Sequence, residues 1–399
     1  MDRILLDPRA WGVMLAAMLT IMSNATITPA LPGIQALFSD NPNAELLTRM
    51  LVTAPSLTVA IVAPFAGVLI DRLGRRPALF FGLLVYAVAG TAGLYLQSLE
   101  MILVSRLVLG LGVAAIMTAQ AALIGDYFEG PARGRLMGYQ MGAVNLGGLV
   151  FVMTAGMLAE HSARLPFLIY ALSLAFFPIL WWLLPEPKRT AGGVDQAHPA
   201  DPGEPGWPAT VATMSIAAIL TFVIFYSIPT QLPYHLVDIG LADPHYAGEV
   251  MAAMMFSAAV MAVVSGWVRP WLGRIGTPVT GYALLAAGFA LLSVASTLVA
   301  SMLGTALIGA GLGFCVPTFV TTALNASPAH RRGLVSGFVT SAFFLGQFLS
   351  PIVSQPIITT WGYQRAFMIA AAGCVALALI LALTLKRRPP QMDKPSPAH

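Results

Sequence analysis

Arg106 is the one charged residue that lies well inside a long apolar segment of this sequence. It opens the run RLVLGLG and stands about six residues, or roughly 9 Å along an α-helix, inside a predicted span over 100–125. A charge at that depth of a bilayer is costly and indicates a functional residue. The competing interpretation is an arginine whose side chain extends to the lipid headgroups. We predict the functional role for Arg106.

A second group of charged residues follows the second apolar segment, where residues 67–76 read GVLIDRLGRR. Asp71 and Arg75 are able to form a charge pair at the end of a helix. Gly67 lets two helices approach closely, and Gly74 suits a tight turn. A simple excess of positive charge on the inner side of a membrane would explain the arginines, but neither Asp71 nor the spacing of the glycines.

Nine uncharged polar residues inside apolar segments are candidates to face a central cavity. They are Asn24, Thr28, Gln120, Gln140, Asn145, Tyr226, Gln231, Asn325 and Gln347. For each of them the competing interpretation is a hydrogen bond between packed helices.

Titratable groups are scarce elsewhere in the apolar segments. The alternative candidates for proton coupling stand near the end of the seventh segment and are His235, Asp238, Asp243, His245 and Glu249. The competing interpretation is that they belong to a solvated outer loop. The segments contain no set of acids, bases and nucleophiles that catalysis requires, so the sequence argues against an enzyme. It contains neither a nucleotide-binding loop nor ligand spacing for a metal, and we expect no cofactor.

The segments that position these residues are long and apolar. Of 399 residues, 57% are hydrophobic and only 10% are charged, with a mean hydropathy of +0.79. A soluble protein of this length would expose far more charge, and continuous apolar runs favour transmembrane helices over a β-barrel. Twelve spans are predicted, over 11–37, 46–70, 77–97, 100–125, 133–159, 165–184, 209–236, 246–269, 277–297, 299–325, 333–358 and 364–385.

The lysines and arginines fix an expected orientation. With both termini in the cytoplasm, seventeen of the 21 fall in cytoplasmic segments and only Arg49, Arg164 and Arg365 fall on the other side. This is the distribution that the positive-inside rule describes. The pI of about 9.2 therefore reflects loop arginines, and we expect no nucleic-acid partner.

The two halves of the chain repeat at an offset of 199 residues. Ten pairs are identical at that offset: Gly67/Gly266, Gly74/Gly273, Arg75/Arg274, Gly82/Gly281, Gly110/Gly309, Gly112/Gly311, Arg133/Arg332, Gly134/Gly333, Gly138/Gly337 and Gly147/Gly346. Two six-helix halves in the same orientation follow, with residues 1–184 and 209–399 joined by a cytoplasmic linker over 185–208.

These features resemble the major facilitator superfamily, whose loop between helices two and three reads G-x-L-x-D-R-x-G-R-R and whose fourth helix carries R-x-x-x-G-x-G. The resemblance implies an all-α membrane fold of two pseudo-symmetric six-helix bundles and a role for Arg106 in proton coupling. It also implies a latch that holds the outward-facing state and breaks on inward opening. The residues assigned to the latch are Gly67, Asp71, Arg72, Gly74, Arg75 and Asp126.

The function expected from this resemblance is secondary, proton-coupled efflux of small amphipathic solutes by a monomer in the inner membrane. An exposed cationic Arg106 in the cavity would favour neutral or anionic solutes. An importer or facilitator is the alternative, because Leu149 to Met153 lack the Gly-Pro pair of the antiporter motif and Asn24 stands where many drug antiporters have an acid. The run over 336–351 resembles the matching helix of bacterial efflux proteins. A scaffold or an intramembrane enzyme is the remaining alternative.

Overall fold

A computed structural model describes residues 3–186 and 203–386, apart from a few side chains within those ranges. Asp71 and Arg72 are among these exceptions, so the latch roles predicted for their side chains lie outside the described part of the structure. Most of the predicted linker over 185–208 lies outside it as well.

The described residues form helices joined by short turns. The first seven helices are α1 (Pro8–Leu37), α2 (Ala44–Leu73), α3 (Arg75–Leu94), α4 (Leu99–Tyr127), α5 (Gly130–His161), α6 (Leu165–Leu183) and α7 (Trp207–Asp238). The next stretch, Pro244–Val294, is broken by non-helical backbone at Gly273 into α8 (244–272) and α9 (274–294). After α10 (Leu298–Ala326), the stretch Arg332–Lys386 is broken in the same way at Gly362 into α11 (332–361) and α12 (363–386).

Ten helical stretches of the described residues are long and apolar enough to cross a membrane, and two of them belong to the broken helices. Dividing these at their glycines gives twelve helices, as predicted. Most helices extend two or three residues past the predicted apolar runs, because helix ends project from the hydrocarbon into polar surroundings.

The repeat is visible in helix caps and turns. The Ser98 side chain accepts a hydrogen bond from the Met101 amide at the start of α4, and Thr297 caps α10 in the same way. Gly74 and Gly273 occupy the equivalent turns, with φ of 96° and 66°. Only glycine adopts such backbone without strain, which explains both positions.

The repeat also governs helix packing. A Cβ added to Gly82 would lie 2.9 Å from the Gly112 carbonyl oxygen, and one added to Gly281 would lie 2.9 Å from that of Gly311. Such close backbone approach brings α3 against α4, and α9 against α10. Buried apolar side chains accordingly form one cluster within α1–α6 and another centred on α7–α12.

The contacts between the two bundles differ between the two ends of the molecule. We call the end with Arg75, Arg133, Arg274 and Arg332 the basic face, and the opposite end the far face. Towards the far face α5 packs on α8, where a Cβ on Gly156 would lie 3.1 Å from the Cα of His245. Towards the basic face the glycines of α2, α5 and α8 have open space around them. They are Gly67, Gly134, Gly138, Gly142 and Gly266. Towards the same face α2 and α11 still meet, since a Cβ on Gly337 would lie 3.5 Å from the Pro64 Cα.

Candidate functional site

Two helices are interrupted near the middle of the molecule, at equivalent places in the two halves. The regular helix of α1 ends at Ala25 and resumes at Leu31 after a tighter turn over Thr28–Ala30. In α7 the first segment ends at Phe225 and the second begins at Ser227. Pro29 and Pro229 have no amide hydrogen for the carbonyl four residues earlier, which explains both breaks. Broken helices at membrane depth are typical of transport sites.

A cavity of about 240 Å³ lies between the bundles beside these breaks. It is lined by Thr20, Ile21, Asn24, Ala25, Met117, Asn145, Phe222, Phe225, Tyr226, Pro229, Met251, Met254, Met255, Ala258, Gly309, Leu312, Phe344 and Gln347. Both bundles contribute to this lining, so a bound solute would contact both at once.

The polar part of the cavity is a hydrogen-bond network that joins the bundles. The Asn24 Nδ2 donates to the Tyr226 hydroxyl and to the Gln347 Oε1, each at 3.2 Å. Ser56 donates to the same Gln347 oxygen at 2.7 Å. Asn24 and Ser56 belong to the first bundle, whereas Tyr226 and Gln347 belong to the second. A solute with hydrogen-bonding groups is able to replace these contacts.

The rest of the lining is apolar and adaptable. Four methionines and three phenylalanines contribute to it, and no residue that lines the cavity in the described structure carries a charge at neutral pH. Methionine side chains are flexible and polarizable, so they fit ligands of varied shape and make favourable contacts with aromatic rings. This chemistry suits uncharged amphipathic molecules.

Four of the nine predicted cavity residues line the cavity, namely Asn24, Asn145, Tyr226 and Gln347. Thr28 and Gln120 are buried in helix packing, Gln140 is half-buried outside the lining, and Asn325 is exposed. Gln231 is buried closer to the far face, where it accepts a hydrogen bond from Arg49. The lining of this cavity therefore includes none of these five residues.

Arg106 does not face the cavity. It is 0% exposed and donates hydrogen bonds to the carbonyl oxygens of Ala89 and Gly90 in α3. Its guanidinium lies over the rings of Phe167 and Tyr170 in α6, 4.9 and 4.7 Å from their centroids. The side chain thus lies among α3, α4 and α6 of one bundle, and the premise that its charge selects solutes in the cavity is wrong.

Part of the predicted latch is present at the basic face. The Arg75 Nε lies 3.0 Å from the Asp126 Oδ2, which ties the start of α3 to the end of α4. Both residues belong to one bundle. The contact agrees with the predicted partnership of Arg75 and Asp126, and its breaking on inward opening stays a prediction. Gly74 makes the tight turn that was expected of it, and a Cβ added to Gly67 would meet open space.

The sequence analysis did not identify two residues that join the bundles, Ser56 in the cavity network and Arg49 at the far face. Ser56 follows Pro55 in an apolar run and resembles a packing residue, so nothing in the sequence marks it. Arg49 was counted only among the charges on the non-cytoplasmic side, yet the residue is 2% exposed. The available signal was its position inside the apolar run that begins at residue 46.

Comparisons with known proteins agree with this architecture. The chain is 26% identical over 352 residues to multidrug resistance protein 1 of Bacillus subtilis (strain 168), which covers 87% of this chain and 88% of that protein. It is 28% identical over 152 residues to the quinolone resistance protein NorA of Staphylococcus aureus, which covers 38% of this chain and 39% of NorA.

Solved structures show the same fold. The xylose transporter XylE of E. coli, in a partially occluded inward-open conformation, superposes with a TM-score of 0.75 at 16% identity and covers 98% of both chains. The human organic anion transporter MFSD10 superposes with a TM-score of 0.70 at 18% identity, over 94% of this chain and 99% of that chain. The family model described as Major Facilitator Superfamily matches residues 13–351 and 279–399. The chain belongs to the Major Facilitator Superfamily and is a multi-pass membrane transporter rather than an enzyme.

Proposed function

We propose that this protein is a proton-coupled exporter of small, uncharged amphipathic molecules that works by alternating access. The cavity carries the proposal, because it combines an apolar lining of methionine and phenylalanine with one uncharged polar network between the bundles. Such a lining favours partly apolar solutes with a few hydrogen-bonding groups.

The orientation that we propose places the basic face in the cytoplasm of an inner-membrane protein, with both termini on that side. The excess of arginine and lysine at that face supports this orientation. The cavity then opens to the cytoplasm, as an exporter requires when it loads. We propose that the monomer is the working unit, because each bundle supplies half of the cavity.

Efflux is favoured over uptake by the names of the similar proteins, which are a multidrug resistance protein and a quinolone resistance protein. Uptake of a small metabolite remains the second candidate function, since the fifth helix lacks the Gly-Pro pair of the antiporter motif. The two candidates differ in the direction of net flux against a pH gradient.

The solute class is narrower than the neutral or anionic range expected from sequence. That range depended on Arg106 facing the cavity, whereas its guanidinium is buried within one bundle. Without a fixed charge in the lining, a charged solute would lose its hydration without gaining a partner. We keep Arg106 as the proposed coupling residue, acting through the packing of α3, α4 and α6.

Flux in proteoliposomes tests the proposal. An imposed pH gradient should drive uncharged amphipathic dyes faster than matched anions or permanent cations. Gln347→Leu should weaken apparent solute affinity about five-fold, the effect of losing a hydrogen bond of about 1 kcal/mol. The matched control is Asn325→Leu, which changes an exposed amide outside the cavity. Equal flux with and without the gradient would contradict proton coupling, and equal effects of the two variants would contradict the cavity assignment.

A further inference from the structure

Arg49 joins the two bundles at the far face through a nearly buried guanidinium. Its Nε donates to the Gln231 Oε1 at 2.8 Å, and its plane lies over the Tyr234 ring at 3.9 Å from the centroid. Gln231 and Tyr234 belong to α7 in the second bundle. On its own bundle Arg49 donates to the Gln35 side chain at 3.2 Å and to the Glu45 carbonyl oxygen.

These contacts belong to a closed ring of four side chains, which we call the far-face ring and which consists of Glu45, Arg49, Gln231 and Gln355. The Gln231 Nε2 donates to the Gln355 Oε1 at 3.0 Å. The Gln355 Nε2 donates to the Glu45 Oε1, and the Glu45 carboxylate lies 3.6 Å from the Arg49 Nη2. The ring thus passes from α2 to α7, on to α11 and back to α2.

The ring is satisfied only while the bundles touch. A buried guanidinium needs acceptors around it, and breaking a buried charge–acceptor contact is costly unless water replaces the partner. Separation of the bundles at the far face would remove Gln231 and Tyr234 from Arg49, and Gln355 from Glu45. The Arg49 guanidinium would then have to hydrate in place of the lost partners, whereas the Glu45 side chain is already 52% exposed. Opening of the far face must therefore admit water to Arg49.

The second segment of α7 links this ring to the cavity. It begins at Ser227, directly after the break at Tyr226, and it carries both Gln231 and Tyr234. The Tyr226 hydroxyl accepts a hydrogen bond from Asn24 in the cavity. A solute that displaces Asn24 from Tyr226 acts at the start of a short helix that carries the ring residue Gln231 in its second turn.

We propose that Arg49 is the gating residue that holds the far face closed, and that the far-face ring sets the balance between the two faces. This goes beyond the proposed function, because it applies to an exporter and to an importer alike. The competing interpretation is that Arg49 only stabilises its own bundle. Arg164 serves as the comparison for an arginine in that role. Arg164 also lies towards the far face but bonds only to its own bundle, through the carbonyl oxygens of Gly93 and Leu96.

Labelling of a cavity cysteine from the far face tests the proposal. Ala25 lines the cavity and is 4% exposed, so Ala25→Cys reports opening when a membrane-impermeant maleimide is added on that side. The native cysteines, Cys315 and Cys374, are buried and are replaced by alanine in the background protein. We expect Arg49→Ala to raise the labelling rate at least about five-fold, equivalent to about 1 kcal/mol, and Arg164→Ala to leave it unchanged.

Two further variants test the proposal independently of whether Arg49→Ala folds. Gln231→Met opens the ring from the other bundle and leaves Arg49 paired with Glu45, so it should raise labelling as well. Arg49→Lys keeps the charge without the planar fork and should give an intermediate rate. Equal labelling of the parent, Arg49→Ala and Gln231→Met, in protein that elutes as one species in detergent, would overturn the proposal. The assay contains no solute or gradient, so its result is independent of whether the protein is a proton-coupled exporter.

Discussion

At the scale of single residues, Arg106 offers a test that separates packing from coupling. Its guanidinium fills the space among α3, α4 and α6 and holds two backbone carbonyl groups of α3. We expect Arg106→Ala to lower the free energy of unfolding by about 3 kcal/mol, as other large-to-small core substitutions do. Thermal unfolding in detergent measures this loss.

Arg106→Met keeps much of the packing volume and removes the charge. We expect it to restore most of the thermal stability lost in Arg106→Ala while proton-driven flux stays below that of the parent. Full recovery of flux in Arg106→Met would show that Arg106 is a packing residue and that coupling resides elsewhere.

The sequence could place Arg106 and Asn24 at the correct depth but could not say which way either side chain points. Depth follows from counting along an apolar run, whereas direction depends on how each helix is rotated against its neighbours. Asn24 points to the cavity because α1 lies between the bundles. Arg106 points into its own bundle, where the carbonyl oxygens of Ala89 and Gly90 accept its hydrogen bonds.

At the scale of helices, the sequence predicted the number of helices and nearly all of their positions. Spans of twenty or more apolar residues and the offset of 199 residues are strong signals, because lipid leaves the backbone few alternatives. The breaks in α1 and α7 were not predicted. Proline is common in membrane helices, and Pro55 and Pro64 lie inside a continuous α2, so its presence alone does not identify a break.

The close contact between α8 and α10 yields a prediction for this scale. A Cβ on Gly309 would clash with the Met254 carbonyl oxygen, and backbone cannot move aside as a flexible side chain can. We expect Gly309→Ala to destabilise the protein by about 2 kcal/mol, typical of overpacking in a core. The control is Gly333→Ala, because a Cβ there meets open space on a helix and should be neutral or stabilising. Comparable thermal midpoints for the two variants would contradict the packing described for α8 and α10.

At the scale of the whole molecule, the far face is closed by two polar connections on different sides of the bundle interface. The far-face ring joins α2 to α7 and α11. On the other side the His245 Nδ1 of α8 lies 2.7 Å from the Glu160 Oε1 of α5. Both connections hold the bundles together at the far face.

The pair of His245 and Glu160 is a second contact whose loss should favour opening of the far face. It joins α5 to α8, so it is present only while these two helices meet there. Because both side chains are about one-third exposed or more, the pair contributes at most about 1 kcal/mol, or a change of about five-fold in the balance.

We therefore expect His245→Ala to raise labelling of the Ala25→Cys reporter from the far face by up to about five-fold, because it removes the contact with Glu160. His161→Ala is the matched control, since His161 lies at the same end of α5 and contacts the Met157 carbonyl oxygen of its own helix. If His245→Ala labels at the same rate as the parent and the control, the pair with Glu160 is only a surface contact.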